Sequence, residues 1–427
     1  MSSIYNFLLS QRRKLFIVTG FAAAVWGLGK YAQTKLLEIN TEIDLQRTAK
    51  ANVKRRFQQN QQDCTFTILS LLPTLSDNIL TNQNVELLIY ELQQKKNSNE
   101  KNNDKLHKYK QWEELKLMSK TITSLYLVTF LILFTNTQLN LLGRYIYLDS
   151  ISSIHNKYDP DGDNNFTGND GDYNNNDDKD SNQNSLQICE GSKKCISTET
   201  ERKFLTFTWF LLNKGWKRVS DMVERSVQKV MGEMTIKNLT TFESFLDILK
   251  GIRTDIEEAP EFILHQILLP EEGEEKEVLK EGLTNISEND PKITVDEELK
   301  GLLDETRDLF ESDDFNMVAK ECLHNIFKKF EQNVETLYYP DLETTKENIK
   351  SQVTNLDEKE EIDGKKFQTG VIYETKSLEL PIAKLIPSVS KVCHSILNGC
   401  PNEYVEAVAS QSDLKTFSVI IYTGWEE

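Results

Sequence analysis

Apolar positions recur along most of this chain at three- and four-residue spacings, which is the period of a helix packed on one side. The first run, "QRRKLFIVTGFAAAVWGLGKYAQTKLL", differs in kind: Leu15 to Gly29 is uncharged and mostly apolar, and Arg12, Arg13 and Lys14 precede it. Fifteen helical residues span ~22 Å of a hydrocarbon layer ~30 Å thick. Lys14 and Lys30 can snorkel, and Trp26 and Tyr31 suit the interface, so the shortfall can be covered. The pattern predicts a tail at 1–14, a membrane anchor over 15–34 and a folded body over 35–427. A cleaved signal peptide is the main rival, but the helical pattern continues past Lys30 without a break. Basic residues flank both sides, so charge leaves the orientation open.

From Lys35 the period stays helical to "FTILSLLP", where Pro73 is expected to stop it. Leu80 to Leu92 is a second apolar-periodic stretch. Residues 93–111 are polar and read as a loop, with the linker proper at about 93–107. Trp112 then opens a long helix with Leu115, Met118, Ile122, Leu125 and Ile132 on one stripe. Inside it, "ITSLYLVTFLILF" (122–134) resembles a second span, but thirteen residues containing Thr, Ser and Tyr on a continuing stripe predict a buried core helix.

Residues 156–187 are a low-complexity Asp/Asn/Gly tract and are expected to be a disordered insert. "FLTFTWFLLNKGW" (204–216) restarts dense apolar structure. Polar linkers are expected at about 271–292 and 340–370. "DETRDLFESDDFNMVAKECLHNIFKKF" reads as one helix or a helix pair, and "LELPIAKLIPSVSKVCHSILNGC" leads into the last helices. The only alternation suggesting a strand is "FSVIIY" (417–422). Gly and Pro are scarce, with nine prolines in 427 residues, which favours long helices over a sandwich or barrel. The expected fold is all-α, an elongated bundle of long helices preceded by one N-terminal transmembrane helix.

Charge changes the picture in two ways. The net value of −17 argues against nucleic acid, which needs a basic face. Residues 1–60 nevertheless carry ten Lys/Arg against three Asp/Glu, +7, leaving −24 for the rest. A basic collar beside an apolar segment suits an anionic lipid surface, although a solvated helix face explains charge alone.

Candidate chemistry is sparse. The six cysteines include no CxxC pair, which suits reduced thiols facing a cytosol. Sequons at Asn165, Asn238 and Asn285 matter only in a secretory lumen. "DPDGDNNFTGND" places Asp159, Asp161, Asp163 and Asp170 at positions 1, 3, 5 and 12 of a calcium loop, but Asn164 stands where the turn Gly is needed. Cys393, His394 and Cys400, and Cys322 with His324, lack structural-zinc spacing and read as helix-core residues. With no GxSxG, phosphate-cradling loop or HExxH, neither an enzyme nor a cofactor is expected.

Several blocks resemble one family in its own order: "VKRRFQQNQQDCTFTILSLLPTL" (53–75), "WEELKL" (112–117), "QLNLLGRYIYLDS" (138–150), "WFLLNKGW" (209–216), "DETRDLFESDDF" (304–315) and "LPIAKLIPSV" (380–389). The chain resembles the peroxisomal biogenesis factor 3 (peroxin-3) family, and its Asn-rich insert suggests a yeast-type member. The resemblance implies a cytosolic helical body on a single-pass anchor in the peroxisomal membrane, with peroxisomal or ER lipid around that anchor. It also implies docking of peroxin-19, the chaperone of newly made membrane proteins, whose amphipathic helix enters a groove. The family's central tryptophan falls on Trp112 and its lysine one turn earlier on Lys108. Flanking apolar positions correspond to Leu88, Leu92 and Leu115. A tether for inheritance or pexophagy adaptors is the alternative role. Spacing alone makes Trp112 a core residue, whereas the resemblance and its expected place in the first helical turn make it the docking residue.

Overall fold

The structure is a computed structural model that describes residues 35, 47–48, 50–80, 103–158, 196–234, 238–283, 294–339 and 378–424. It has two compact units, residues 1–60 and 61–427. Every described residue of the first is helical, and Lys54, Arg55 and Arg56 are exposed there. The expected anchor (15–34), Leu88, Leu92 and the calcium-like tract lie outside the described residues.

The second unit opens with helix α1 (61–80). The order then runs α2 (Asn103–Tyr158), α3 (Thr198–Thr206), a short turn (Thr208–Phe210), a π-helical segment (Leu211–Gly215), α4 (Trp216–Met231), β1 (Leu239–Thr240), α5 (Phe242–Glu257), α6 (Leu264–Leu268) and α7 (Glu275–Gly282). It continues through α8 (Glu297–Glu311), α9 (Asp313–Tyr338), β2 (Leu380–Pro381), α10 (Ile382–Asn398), α11 (Glu403–Ala409) and α12 (Ser412–Thr423). The all-α expectation holds. Among the described residues the strands form one antiparallel ladder, Leu239 opposite Pro381 and Thr240 opposite Leu380.

Helix α2 is the axis of this unit and packs against α4, α9, α10 and α12. From Met118 to Gln138 every residue is buried. A helix wrapped on all sides must satisfy its polar groups internally. Here the hydroxyls turn back on their own helix: Ser119 donates to the Leu115 carbonyl at 2.8 Å, Ser124 to Lys120 at 2.8 Å, Thr129 to Leu125 at 2.9 Å and Thr137 to Leu133 at 3.0 Å. The Thr123 and Thr135 hydroxyls are buried with no hydrogen-bond partner. Residues 115–150 are long and apolar enough to cross a membrane, but protein rather than lipid covers them, as expected for a core helix. The expected one-sided stripe is instead a fully enclosed surface.

Caps fix several helix starts. Ser197, Thr241, Asp296 and Ser312 each accept a hydrogen bond from the backbone N–H three residues on, at 2.8–3.3 Å. Ser312 ends α8 and begins α9, so the 304–330 stretch is a helix pair.

Four local expectations fail. Pro73 does not stop α1, which runs to residue 80. The proline is exposed, while Ile68, Leu72, Leu75 and Ile79 bury on the other face. The turn whose N–H is missing therefore faces solvent, and core packing holds the helix through it. "FSVIIY" belongs to α12, where Leu414, Phe417, Ser418, Ile421 and Tyr422 are buried at helical spacing. A six-residue apolar run does not distinguish the two periods, and packing decides. Glu275–Gly282, inside the expected linker 271–292, is helix α7, held by Val278 and Leu279 in the core. Finally, α2 begins at Asn103 inside the expected loop and continues to Tyr158, three residues into the expected insert. Lys, Gln and Leu between 105 and 111 are good helix formers, and Asp104 in the first turn complements the helix dipole.

Candidate docking site

Helix α2 supplies the first wall. Lys108 and Trp112 are one helical turn apart, and Leu115 follows three residues later. Trp112 is nine residues from the helix start, so it is not in the first turn. The side chains of Lys108 and Trp112 lie outside those described, as do Leu88 and Leu92 altogether. Leu115 is 9% exposed and joins the core.

Leu115 also lines a groove of about 450 Å³. Lys116 and Ser119 extend that wall from α2, and Glu224, Arg225, Gln228 and Lys229 of α4 form the facing one. The α4 residues point outward because Val219, Met222, Val223, Ser226 and Val227 fill its buried face. Arg225 and Lys229 also line a neighbouring cleft of about 840 Å³ between α4 and α5, together with Asp255 and Glu261. There Arg225 pairs with Glu261 and Lys229 with Asp255, while Ser226 Oγ donates to Asp255 Oδ2 at 2.6 Å. The ammonium of Lys229, then the Ser226 hydroxyl, hold the Asp255 carboxyl below the usual carboxylate range. Arg225 does the same for Glu261.

Of the sequence-predicted residues, the structure places Leu115 on this groove and Lys108 and Trp112 on the same helix before it. Arg225, Gln228 and Lys229 were missed. Their signal is "VERSVQKV", whose helical period marks them as outward-facing but not as neighbours of α2.

Other chemistry is distributed differently. No group of three His, Cys, Asp or Glu gathers to hold a metal among the described residues. Of the Cys/His groups expected in the helix core, Cys322 and Cys393 are buried there, whereas His324, His394 and Cys400 are exposed. Burial pushes the thiols of Cys64 and Cys322 up to about 12 and raises that of Cys393, which keeps them protonated and poor nucleophiles. The groove itself combines one apolar wall residue with charged rims.

Fold and groove together define an all-α protein with a helix-lined surface depression. The chain belongs to the Peroxin-3 family, whose family model matches residues 6–111 and 97–424. It is similar to peroxisomal biogenesis factor 3 of Rattus norvegicus, 26% identical over 436 residues that cover 100% of this chain and 98% of that protein. The same factor from Yarrowia lipolytica is 24% identical, with 99% of each chain covered. A Komagataella phaffii relative named peroxisomal membrane protein PEX3 is 26% identical over 58% of this chain and 57% of its own. Membership carries a role in peroxisome biogenesis.

Proposed function

We propose that this chain is a docking receptor for the peroxin-19 chaperone at the peroxisomal membrane, anchored by residues 15–34 with its bulk in the cytosol. It receives the chaperone by helix-in-groove recognition and so supports insertion of peroxisomal membrane proteins. The observation that carries this reading is the groove beside Leu115, on the helix that bears Lys108 and Trp112 in the preceding turns. An amphipathic helix binds such a groove through anchors spaced three and four residues apart. Trp112 supplies the aromatic anchor, Leu115 an apolar contact, and Lys108 a rim charge for a partner carboxylate; Leu88 and Leu92 complete the apolar contacts. The membrane tie of the Komagataella relative's name supports the location.

The test is the affinity of purified peroxin-19 for the detergent-solubilised full chain. Trp112→Ala raises the dissociation constant ~30- to 1000-fold with the melting temperature unchanged, as loss of an interface anchor does. Lys108→Ala weakens binding less, and the loss shrinks with added salt. A Trp112→Ala protein that melts normally and binds like the parent refutes the assignment.

A further inference from the structure

The groove beside Leu115 has a charge unlike that of the chain around it. Residues beyond 60 carry −24, yet three cations, Lys116, Arg225 and Lys229, line the groove against the single carboxylate of Glu224. Two of those cations are shared with the cleft on the other side of α4, where Glu261 and Asp255 hold them.

The two ion pairs are not what joins α4 to α5. Those helices pack together, and Val223, Val227, Leu249, Ile252 and Ile256 are buried in one core. The side chains of Arg225 and Lys229 stay 63% and 71% exposed; Glu261 is as open as its partner, whereas Asp255 is 28% exposed, so solvent reaches the cation of each pair and screens the attraction. Long, exposed cations that line two adjacent depressions can change partners by rotating their own side chains, without moving either helix.

We propose that Arg225 and Lys229 are exchangeable docking cations: Glu261 and Asp255 hold them in the free protein, and carboxylates of an acidic amphipathic helix seated beside Leu115 take them over. The occupant is thus a helix with acidic residues over α4 as well as over Lys108, and Glu261 and Asp255 are built-in competitors that restrain its binding. Arg225 and Lys229 select for charge, while Leu115 supplies the apolar wall. The inference rests on the helix-in-groove reading and adds the partner's charge pattern to it.

The experiment uses the full chain in detergent and purified peroxin-19 as the probe, with affinity measured at 50 and 300 mM salt. Arg225→Gln/Lys229→Gln raises the dissociation constant about 5- to 30-fold at low salt, less at high salt, and flattens the salt dependence. The charge-keeping pair Arg225→Lys/Lys229→Arg recovers most of that loss. Asp255→Asn/Glu261→Gln tightens binding about 2- to 5-fold at low salt, because the competitors removed hold cations that solvent already screens. An Arg225→Gln/Lys229→Gln protein with parental affinity and salt slope, in a series where Trp112→Ala loses binding, overturns the inference and leaves the docking reading intact. So does weaker binding by Asp255→Asn/Glu261→Gln. If Trp112→Ala binds normally while the glutamine pair flattens the salt slope, the assignment of Trp112 as anchor falls and the exchangeable cations stand.

Discussion

Gln138 and Thr208 meet in the core: the Thr208 hydroxyl donates to Gln138 Oε1 at 2.9 Å, and Gln138 Nε2 donates onward to the Phe204 carbonyl at 2.6 Å. One buried amide thereby joins α2 to the break that follows α3. Gln138→Leu strands the Thr208 hydroxyl and destabilises the protein by about 1–3 kcal/mol. Adding Thr208→Val removes the orphaned group and recovers part of the loss. Urea unfolding of the two variants checks this, and a double variant less stable than Gln138→Leu would refute the coupling.

Gly215 ends the π-helical segment where the chain crosses α6. A Cβ there would stand 2.3 Å from the Ile267 carbonyl oxygen, which is backbone and cannot turn aside. Gly215→Ala therefore costs roughly 1–3 kcal/mol as an overpacked contact. Gly251, inside α5, is the control, because its nearest neighbour is Val230 Cγ1 at 3.9 Å. Gly251→Ala is neutral or stabilising by up to about 1 kcal/mol through helix propensity. Melting temperatures of the two alanine variants that move together would refute this reading.

Stability falls in alkali for an identifiable reason. Burial raises the Cys64 and Cys322 thiols from 9.0 to about 12. A raised folded-state value means that the neutral form is favoured by folding. Its contribution is complete below pH 9 and is lost as pH climbs toward 12. Tyr126, buried and hydrogen-bonded to Glu257 at 3.0 Å, adds to the loss above pH 10. Cys64→Ala/Cys322→Ala should show a shallower decline between pH 9 and 12 than the parent. Parallel curves in thermal unfolding would exclude these thiols as the cause.

Removal of residues 1–36 should release the protein from membranes on carbonate extraction. The long apolar stretch in α2 offers no substitute, because protein already covers 94% of its most apolar window. A truncated chain that stays in the pellet would assign membrane attachment to the body.

The sequence displayed the core better than the surfaces. Ile122–Phe134 was readable as buried because it continues a helical stripe and carries Thr and Ser, whereas the 304–330 stretch fitted one helix or a pair until the Ser312 cap decided for the pair. Pro73 and "FSVIIY" misled for a common reason: each is a local signal overruled by the face that happens to meet the core. At the site, the helical stripe marks Leu115 as a core residue, and only the family resemblance points to it as a docking contact. Arg225 and Lys229 do not, since nothing in "VERSVQKV" tells which helix lies opposite. Pairings between elements more than a hundred residues apart are set by the whole fold.

The enclosure of α2 has a consequence for synthesis. Helices α4, α9, α10 and α12, which cover it, all follow it in the chain, the last ending at Thr423. At typical translation speeds, the interval between making Tyr158 and making Thr423 is roughly 15 to 50 seconds. Until α12 is made, the emerging polypeptide presents a segment long and apolar enough to cross a bilayer that its later helices have covered only in part. A ribosome-bound nascent chain of this protein is therefore a natural client for cytosolic holdases, and a target for mis-sorting by any factor that selects membrane spans by hydrophobicity.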